Sequence, residues 1–282
     1  MLLVIDVGNT NIKYGVYAGD ELVASFRVTS EKKKTADEYG AILLNLLNSS
    51  NISVKDIHGV ILSSVIPALN YTICHMCEFF LGVKPLVVGP GIKTGLNIRV
   101  DNSREVGADR IVNSVAAFKK YGGPCVVIDF GTATTFNVIT EKGALIGGVI
   151  APGIKGSLDS LVNGTAKLPD IELEFPGKVV CTDTVTNMQA GLLYGFAGLV
   201  ERIVSMIKAE TGKSETKVIA TGGLGEFIAK EASCIDVVDR KLTLEGLKML
   251  YDMNGKSEYL FIAANMQIML EKGGFSTFRR LV

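Results

Sequence analysis

The stretches VIDVGNT at residues 4–10 and VIDFGTA at residues 127–133 are nearly one phrase written twice. Each is an apolar run that ends in aspartate, then glycine, then a small side chain bearing an amide or hydroxyl. Working outward from each, the chain reads strand, loop, strand, turn, strand. The first copy runs LLVIDVG, NIKYGVYA, a Gly19-Asp20 turn and LVASFRV. The second runs VVIDFGT, TTFNVIT, a turn at Glu141-Lys142-Gly143 and ALIGGVIAP. The repeat is architectural as well as verbal, and it predicts two equivalent halves.

One such loop alone reads as a tight turn whose aspartate caps nearby amides. Two at matching positions read as a pair of phosphate loops facing each other across a cleft. An aspartate just past a strand end can hold a hydrated divalent cation, and the following glycine lets the backbone approach a phosphate without a Cβ in the way. Asn9 and Thr10 add short donors, and Lys13, on the strand leaving the loop, can bring its ammonium to the terminal phosphates. In the second copy Gly131, Thr132 and Thr134 offer an amide and hydroxyls, while Asp129 supplies another carboxylate for a cation. A Gly-Gly corner at Thr221-Gly222-Gly223, after a strand and before a helix, suits a flat base and ribose packed on backbone.

The bulk composition is that of an ordinary compact soluble protein. With 282 residues and 48% hydrophobic side chains the chain can bury a substantial core. Lys+Arg and Asp+Glu both number 29, so no net field draws nucleic acid or an anionic membrane. A phosphate must be held by local geometry. The opening MLLVIDVG is too short for a secretory leader, so a cytoplasmic protein is expected. No uninterrupted apolar run approaches the roughly 18 residues of a membrane span. The nearest, YLFIAANMQIML at 259–270, is broken by Asn and Gln. Five cysteines, at 74, 77, 125, 181 and 234, make no disulfide framework. The Cys74/Cys77 pair lacks the second pair or histidine partner that zinc requires.

Between the repeats the capping-box pattern Thr35-Ala-Asp-Glu38 opens a helix over about 35–48. A buried strand at 59–65, a helix at 68–81 and a strand at 85–89 imply a crossover and parallel pairing. GPGIKTGLNI at 89–98 is a glycine-punctuated connection, and a helix from about 104 stops at Gly122-Gly123. Thr186-Asn-Met-Gln189 reads as another capping box, opening a helix to about 210. Residues 218–228 are a strand running through the Gly-Gly corner into a helix. Thr243 is expected to cap the next helix, which ends near Gly255, and 256–282 to carry one more apolar helix.

The segment GLNIRVDNSREVGADRIVNSVAAF at 95–118 bears on the acceptor. With Ala108, Ile111, Val112 and Val115 as the apolar stripe, Asp109 lies at its margin and Arg110 on the opposite side. On periodicity alone these are a solvated pair. Phosphoryl transfer to an alcohol, however, needs a carboxylate near the acceptor hydroxyl, and Asp109 can be that group. Arg110, a planar fork of donors, can pair with the carboxylate of an acidic substrate.

The three loops in this order resemble the phosphate 1, phosphate 2 and adenosine motifs of the actin, hexokinase and chaperone ATPase superfamily. That resemblance implies an α/β fold of two duplicated ribonuclease-H-like domains, residues 1–118 and 119–282, with the active site between them. Within the superfamily the chain resembles type III pantothenate kinases through DVGNT(6–10), VGPGIKTGLNI(88–98), GADR(107–110), IDFGTATT(128–135), GGVIAPG(147–153) and MQAG(188–191). The resemblance implies that Asp6, Val7, Gly8, Asn9, Thr10, Asn11, Ile12 and Lys13 form the nucleotide loop. Thr132 would bind ATP as well, and Gly222 and Gly223 would hold the adenosine. Asp109 would be the proton acceptor, and Gly107, Ala108, Asp109, Arg110 and Thr184 would line the pantothenate pocket. Asp129, read from the residues as a generic cation ligand, would bind potassium or ammonium, with hydrated magnesium arriving with ATP at Asp6. Family members are homodimers whose pockets are completed across the interface, a role the helix after Thr186 can serve.

The chain departs from the family pattern at three places. Val100 stands where a substrate-contacting tyrosine is frequent, Ser103 where proline is common, and the chain runs some 25 residues beyond the usual end. Two other readings keep the loops: another small-molecule kinase of the superfamily, or a nucleotide-binding accessory factor associated with transcription that does not use Asp109 as a base. The balanced charge and the lack of a recognisable DNA-reading helix count against the second.

Overall fold

The computed structural model describes residues 1–255. The helix expected over 256–282 lies outside the described residues. The first repeat folds as an antiparallel meander of β1 (Leu2–Val7), β2 (Asn11–Ala18) and β3 (Glu21–Thr29). Strand β4 (Gly59–Ser64) then pairs parallel with β1, and β5 (Leu86–Val87) parallel with β4. The order is β3-β2-β1-β4-β5. Burial follows position: β1 is covered on both faces, whereas the edge strand β3 alternates exposed and half-buried residues along its whole length. Helix α1 (Ala36–Ser49) starts at the expected capping box, with Thr35 and Glu38 bonded reciprocally. Helix α2 (Pro67–Met76) runs on into a π-helical turn over Cys77–Leu81. Both helices pack on one face of the sheet through Tyr39, Leu43, Leu47, Leu69 and Ile73.

The second sheet contains β6 (Asn97–Ile98), β7 (Cys125–Phe130), β8 (Ala133–Ile139), β9 (Ala144–Pro152), β10 (Lys217–Gly222) and β11 (Val237–Val238). Its order, β11-β10-β7-β8-β9-β6, repeats the first sheet once the extra edge strand β6 is set aside. The remaining helices are α3 (Ala108–Tyr121), α4 (Ile154–Asn163), α5 (Thr184–Thr211) and α6 (Gly225–Ile228), followed by α7 over 242–255. Helices α3 and α7 lie between the sheets. Val112 and Val115 of α3, with Leu244, Leu247 and Leu250 of α7, close over Val4, Tyr17 and Ile61 of the first sheet. Ala116 and Ala117 of α3, with Leu242, pack on Cys125, Val127, Ile139 and Ile219 of the second.

Several boundaries differ from the sequence reading, each for a local reason. The helix expected from 104 starts at Ala108, because a separate 3-10 turn over Ser103–Glu105 is capped by Asn102. Thr186 does not cap α5; Asp183 does, its carboxylate accepting from the Thr186 backbone N–H, and Gln189 instead donates to the Glu172 carbonyl. Thr243 sits inside α7 rather than at its start, because the Asp239 carboxylate accepts from the Lys241 N–H just ahead of the helix. The strand expected over 85–89 shrinks to Leu86–Val87, and the connection at 89–98 ends in β6, which pairs with β9. Helix α4 had no counterpart in the sequence reading. Helix α5 has the length and composition of a membrane span, with a mean hydropathy of 1.4 over its most apolar window. Ten of its residues are buried, and eight of these, among them Met188, Leu193, Phe196, Val200 and Val204, belong to the core against the second sheet.

Candidate active site

The first of the two repeated loops is built by the β1–β2 hairpin. Asp6 and Lys13 are opposite partners in the ladder, which sets the Lys13 ammonium 3.6 Å from the Asp6 carboxylate. Between them the Gly8 N–H donates to the Asn11 carbonyl at 3.0 Å, so the loop is a closed turn with Asn9 and Thr10 exposed at its tip. Ser30, at the end of β3, fixes it from beneath: its hydroxyl donates to the Gly8 carbonyl at 2.6 Å and its N–H to the Thr10 carbonyl at 2.9 Å. Val7 and Ile12 point into the first core, so within the 6–13 loop they offer a ligand only backbone groups.

The second loop is closed the same way, by the Gly131 N–H donating to the Ala133 carbonyl at 3.1 Å. Thr132 is exposed at its tip, and its hydroxyl lies 2.9 Å from that of Thr10. The two loops therefore meet. Thr134, read from the sequence as a free hydroxyl, is buried and donates to the Pro152 carbonyl at 3.0 Å, so it is committed to the strand pair. The Gly222-Gly223 corner reaches the same place. Gly222 has φ +92, and a Cβ there would fall 2.6 Å from the Asp129 carboxylate and 2.6 Å from the Phe130 carbonyl, so only glycine fits. At Gly223 the space beside the backbone is open.

Three carboxylates and one ammonium share this cleft. Burial raises the Asp6 pKa to about 6, outweighing the Lys13 ammonium, with Asp109 and Asp129 adding to the rise. Burial likewise raises Asp109, partly countered by the Arg110 backbone N–H and guanidinium. Asp129 is raised by burial as well, countered by Lys13, with Asp109 adding to the rise. Asp109 lies in the first turn of α3, where its Oδ1 accepts from the Arg110 N–H at 2.8 Å and sits over Gly107. Asp129 Oδ2 accepts from Asn113 at 3.0 Å, and the Asn113 oxygen in turn accepts from the buried Thr243 hydroxyl at 2.8 Å. Asn113 lies one helical turn beyond Asp109, so both face the cleft. Arg110 is not a solvated surface residue: it is partly buried, and its Nε donates to Asn137 on β8 at 2.6 Å.

The sequence reading named neither Ser30, Asn113 nor Asn137. Asn113 was findable from its spacing to Asp109, and Asn137 as a polar residue within an apolar strand. Ser30 reaches the loop only through strand pairing. Of the remaining expected pocket residues, Ala108 opens α3 and packs partly against the inter-sheet core. Val100 is half-buried in the connection between β6 and α3. Thr184 opens α5 on a groove shared with Ser157, Leu161 and Asn187, and has no hydrogen bond to Gly107–Arg110 among the described residues.

The donor set fits a hard cation carried by phosphate. Asp6 and Asp129, raised by burial and by Asp109 and countered by Lys13, leave this part of the cleft short of positive charge. Among the described residues no three His, Cys, Asp or Glu side chains form a ready-made cage. Magnesium typically uses one or two carboxylates and completes its shell with water and substrate phosphates.

Paired acidic loops closing on one cleft of a duplicated sheet, with a carboxylate at a helix start beside them, define a nucleotide-dependent phosphotransferase on the actin-like ATPase fold. Solved structures bear out the fold. A Campylobacter jejuni protein assigned to the Baf family of transcriptional activators superposes with a TM-score of 0.58 at 19% identity, covering 90% of this chain and 99% of that one. MreB 5 of Spiroplasma citri, bound to AMPPNP, superposes with a TM-score of 0.55 at 11% identity, covering 92% and 98%. The chain itself belongs to the type III pantothenate kinase family, whose profile matches residues 2–206. A type III pantothenate kinase of Moorella thermoacetica is 53% identical over 254 residues, covering 90% of this chain and all of that one.

Proposed function

We propose that the protein transfers the terminal phosphoryl group of ATP to the primary alcohol of pantothenate, giving 4'-phosphopantothenate at the start of coenzyme A synthesis. The observation that carries this reading is the 2.9 Å approach of Thr10 to Thr132, which sets the two phosphate loops against each other beside Asp109.

In this reading residues 1–118 and 119–282 are the two halves that close on the nucleotide. The backbone of the 6–13 loop and the Thr132 hydroxyl hold the phosphates, Lys13 neutralises their charge, and Gly222 and Gly223 leave room for the adenosine. Asp6 would hold hydrated magnesium, which when bound neutralises the phosphate oxygens as charge shifts between them. Asp129, oriented by Asn113, would take potassium or ammonium. Asp109 accepts the proton of the attacking alcohol, and its burial supports that role because a raised pKa makes a carboxylate a better base. The Arg110 guanidinium pairs with the pantothenate carboxylate. Thr184, facing a groove on α5, would contact pantothenate bound to a second copy of the chain in a homodimer.

The test is release of ADP in the presence of ATP, magnesium and pantothenate, with potassium present or omitted. Turnover should need both pantothenate and the monovalent cation. Asp109→Asn should lower kcat by about a hundredfold or more while leaving ATP binding intact. A fully active Asp109→Asn enzyme would remove Asp109 from the base role.

A further inference from the structure

Asn137 is an unusual residue for its place. It lies within β8, a central strand, between Val127 of β7 and Gly148 of β9, and it is 0% exposed. Asparagine is a poor strand former, and a buried amide is costly unless its polar atoms are paired. Half of this amide is not paired: Nδ2 has no partner, while Oδ1 accepts from the Arg110 Nε at 2.6 Å. The residue therefore does one thing in the fold, and it does it with one oxygen. On the next strand Gly148 lies against the other end of the Arg110 side chain: a Cβ there would fall 1.9 Å from the Phe136 carbonyl and 2.7 Å from an Arg110 terminal nitrogen.

The Asn137 oxygen and the Gly148 backbone thus both lie against the guanidinium. Nε is used, and although Asp109 attracts the guanidinium, no carboxylate forms an ion pair with Arg110 among the described residues. What remains is the terminal fork, whose two parallel donors match a carboxylate. We infer that Asn137 is a positioning residue that aims the Arg110 fork, and that it thereby sets the preference of the site for an acidic acceptor alcohol. The inference rests on the reading of Arg110 as the carboxylate contact.

The experiment compares pantothenate with its neutral analogue, in which the carboxylate is replaced by a hydroxymethyl group. Asn137→Leu keeps most of the volume and removes the acceptor; Asn137→Ala removes it with a smaller side chain. Each should raise the pantothenate KM by about tenfold or more and leave the ATP KM and kcat within about twofold. The preference for acid over neutral alcohol should fall by the same factor. In an Arg110→Ala background, Asn137→Leu should add less than about twofold, because the two residues act as one unit. Unchanged pantothenate KM in a folded variant, an equal rise for both alcohols, or an additive effect in that background overturns the inference. If Arg110→Ala abolishes the acid preference while the Asn137 variants keep it, the inference alone fails. If Arg110→Ala keeps the preference, the reading of Arg110 fails and the inference with it. Should neither of these variants fold, Asn137→Thr decides: a strand former whose shorter side chain withdraws the Oδ1 acceptor from Nε, so retained acid preference overturns the proposal and its loss supports it.

Discussion

At the scale of a single residue the proposed reaction turns on Asp109, and its environment works in two directions. Burial disfavours its charged form, while the Arg110 N–H and guanidinium partly restore it, leaving the pKa raised. A base must be ionised to accept a proton, so activity falls as pH drops through this raised value. The acid limb of kcat/KM for pantothenate should therefore lie above the roughly 3.9 of an exposed aspartate. A pH profile flat down to pH 4 would contradict that environment. Asp109 and Arg110 were both legible in the sequence from GADR and its spacing. Their surroundings were not. Periodicity placed the pair at the edge of an apolar stripe, and only the second sheet, brought up against α3, turns Arg110 from a solvated side chain into one held by Asn137. Ser30 was invisible for a similar reason: Thr29 pairs with Asn11 across the sheet, which puts the next residue under a loop about twenty positions earlier in the chain.

Among the elements, the joint between α3 and α7 has most to lose. Asp239, just ahead of α7, is 8% exposed and accepts hydrogen bonds from the Lys120 ammonium, the Tyr121 hydroxyl at 2.7 Å and the Lys241 N–H at 3.0 Å. Burial alone would raise its pKa, but the Lys120 and Tyr121 bonds outweigh it and hold the carboxyl below its ordinary value. For an acid with a lowered folded pKa, the stabilisation is full above the unfolded value and is lost as pH falls through the folded one. Asp239→Asn should therefore cost about 1–3 kcal/mol at pH 7, read by urea unfolding, and the gap to wild type should close only at pH below about 4. An equal gap at pH 7 and pH 3 would count against this account. The sequence reading assigned the cap to Thr243 because a threonine before an apolar run is a sound local signal. Asp239 takes the N-terminal role instead, leaving the Thr243 hydroxyl to bond Asn113 behind Asp129, a contact set by tertiary packing.

For the whole molecule, the repeated phrase was enough to predict two equivalent sheets, and the strand orders repeat as the duplication requires. What the repeat could not convey is that α3 and α7 lie between the sheets and that β6 crosses to the second one, since such long-range placements leave no local period. A nucleotide gripped by loops from both halves should stabilise both together. At a concentration about a hundredfold above its Kd, ATP with magnesium adds about 2.7 kcal/mol. For a chain of this size that corresponds to roughly 5–10 °C in a single melting transition. Two transitions of which only one moved would mean that a single half binds the nucleotide.

The inter-sheet position of α7 also governs the order in which the protein can be made. Val4, Tyr17 and Ile61 emerge early from the ribosome, yet Leu244, Leu247 and Leu250, which cover them, are among the last described residues to be synthesised. At about 5–20 residues per second the nascent N-terminal sheet waits on the order of ten seconds or more with that apolar face only partly covered, by Val112 and Val115 of α3. Truncation before α7 would leave it so permanently, and a ribosome stalled there would hold a chain that invites chaperone capture.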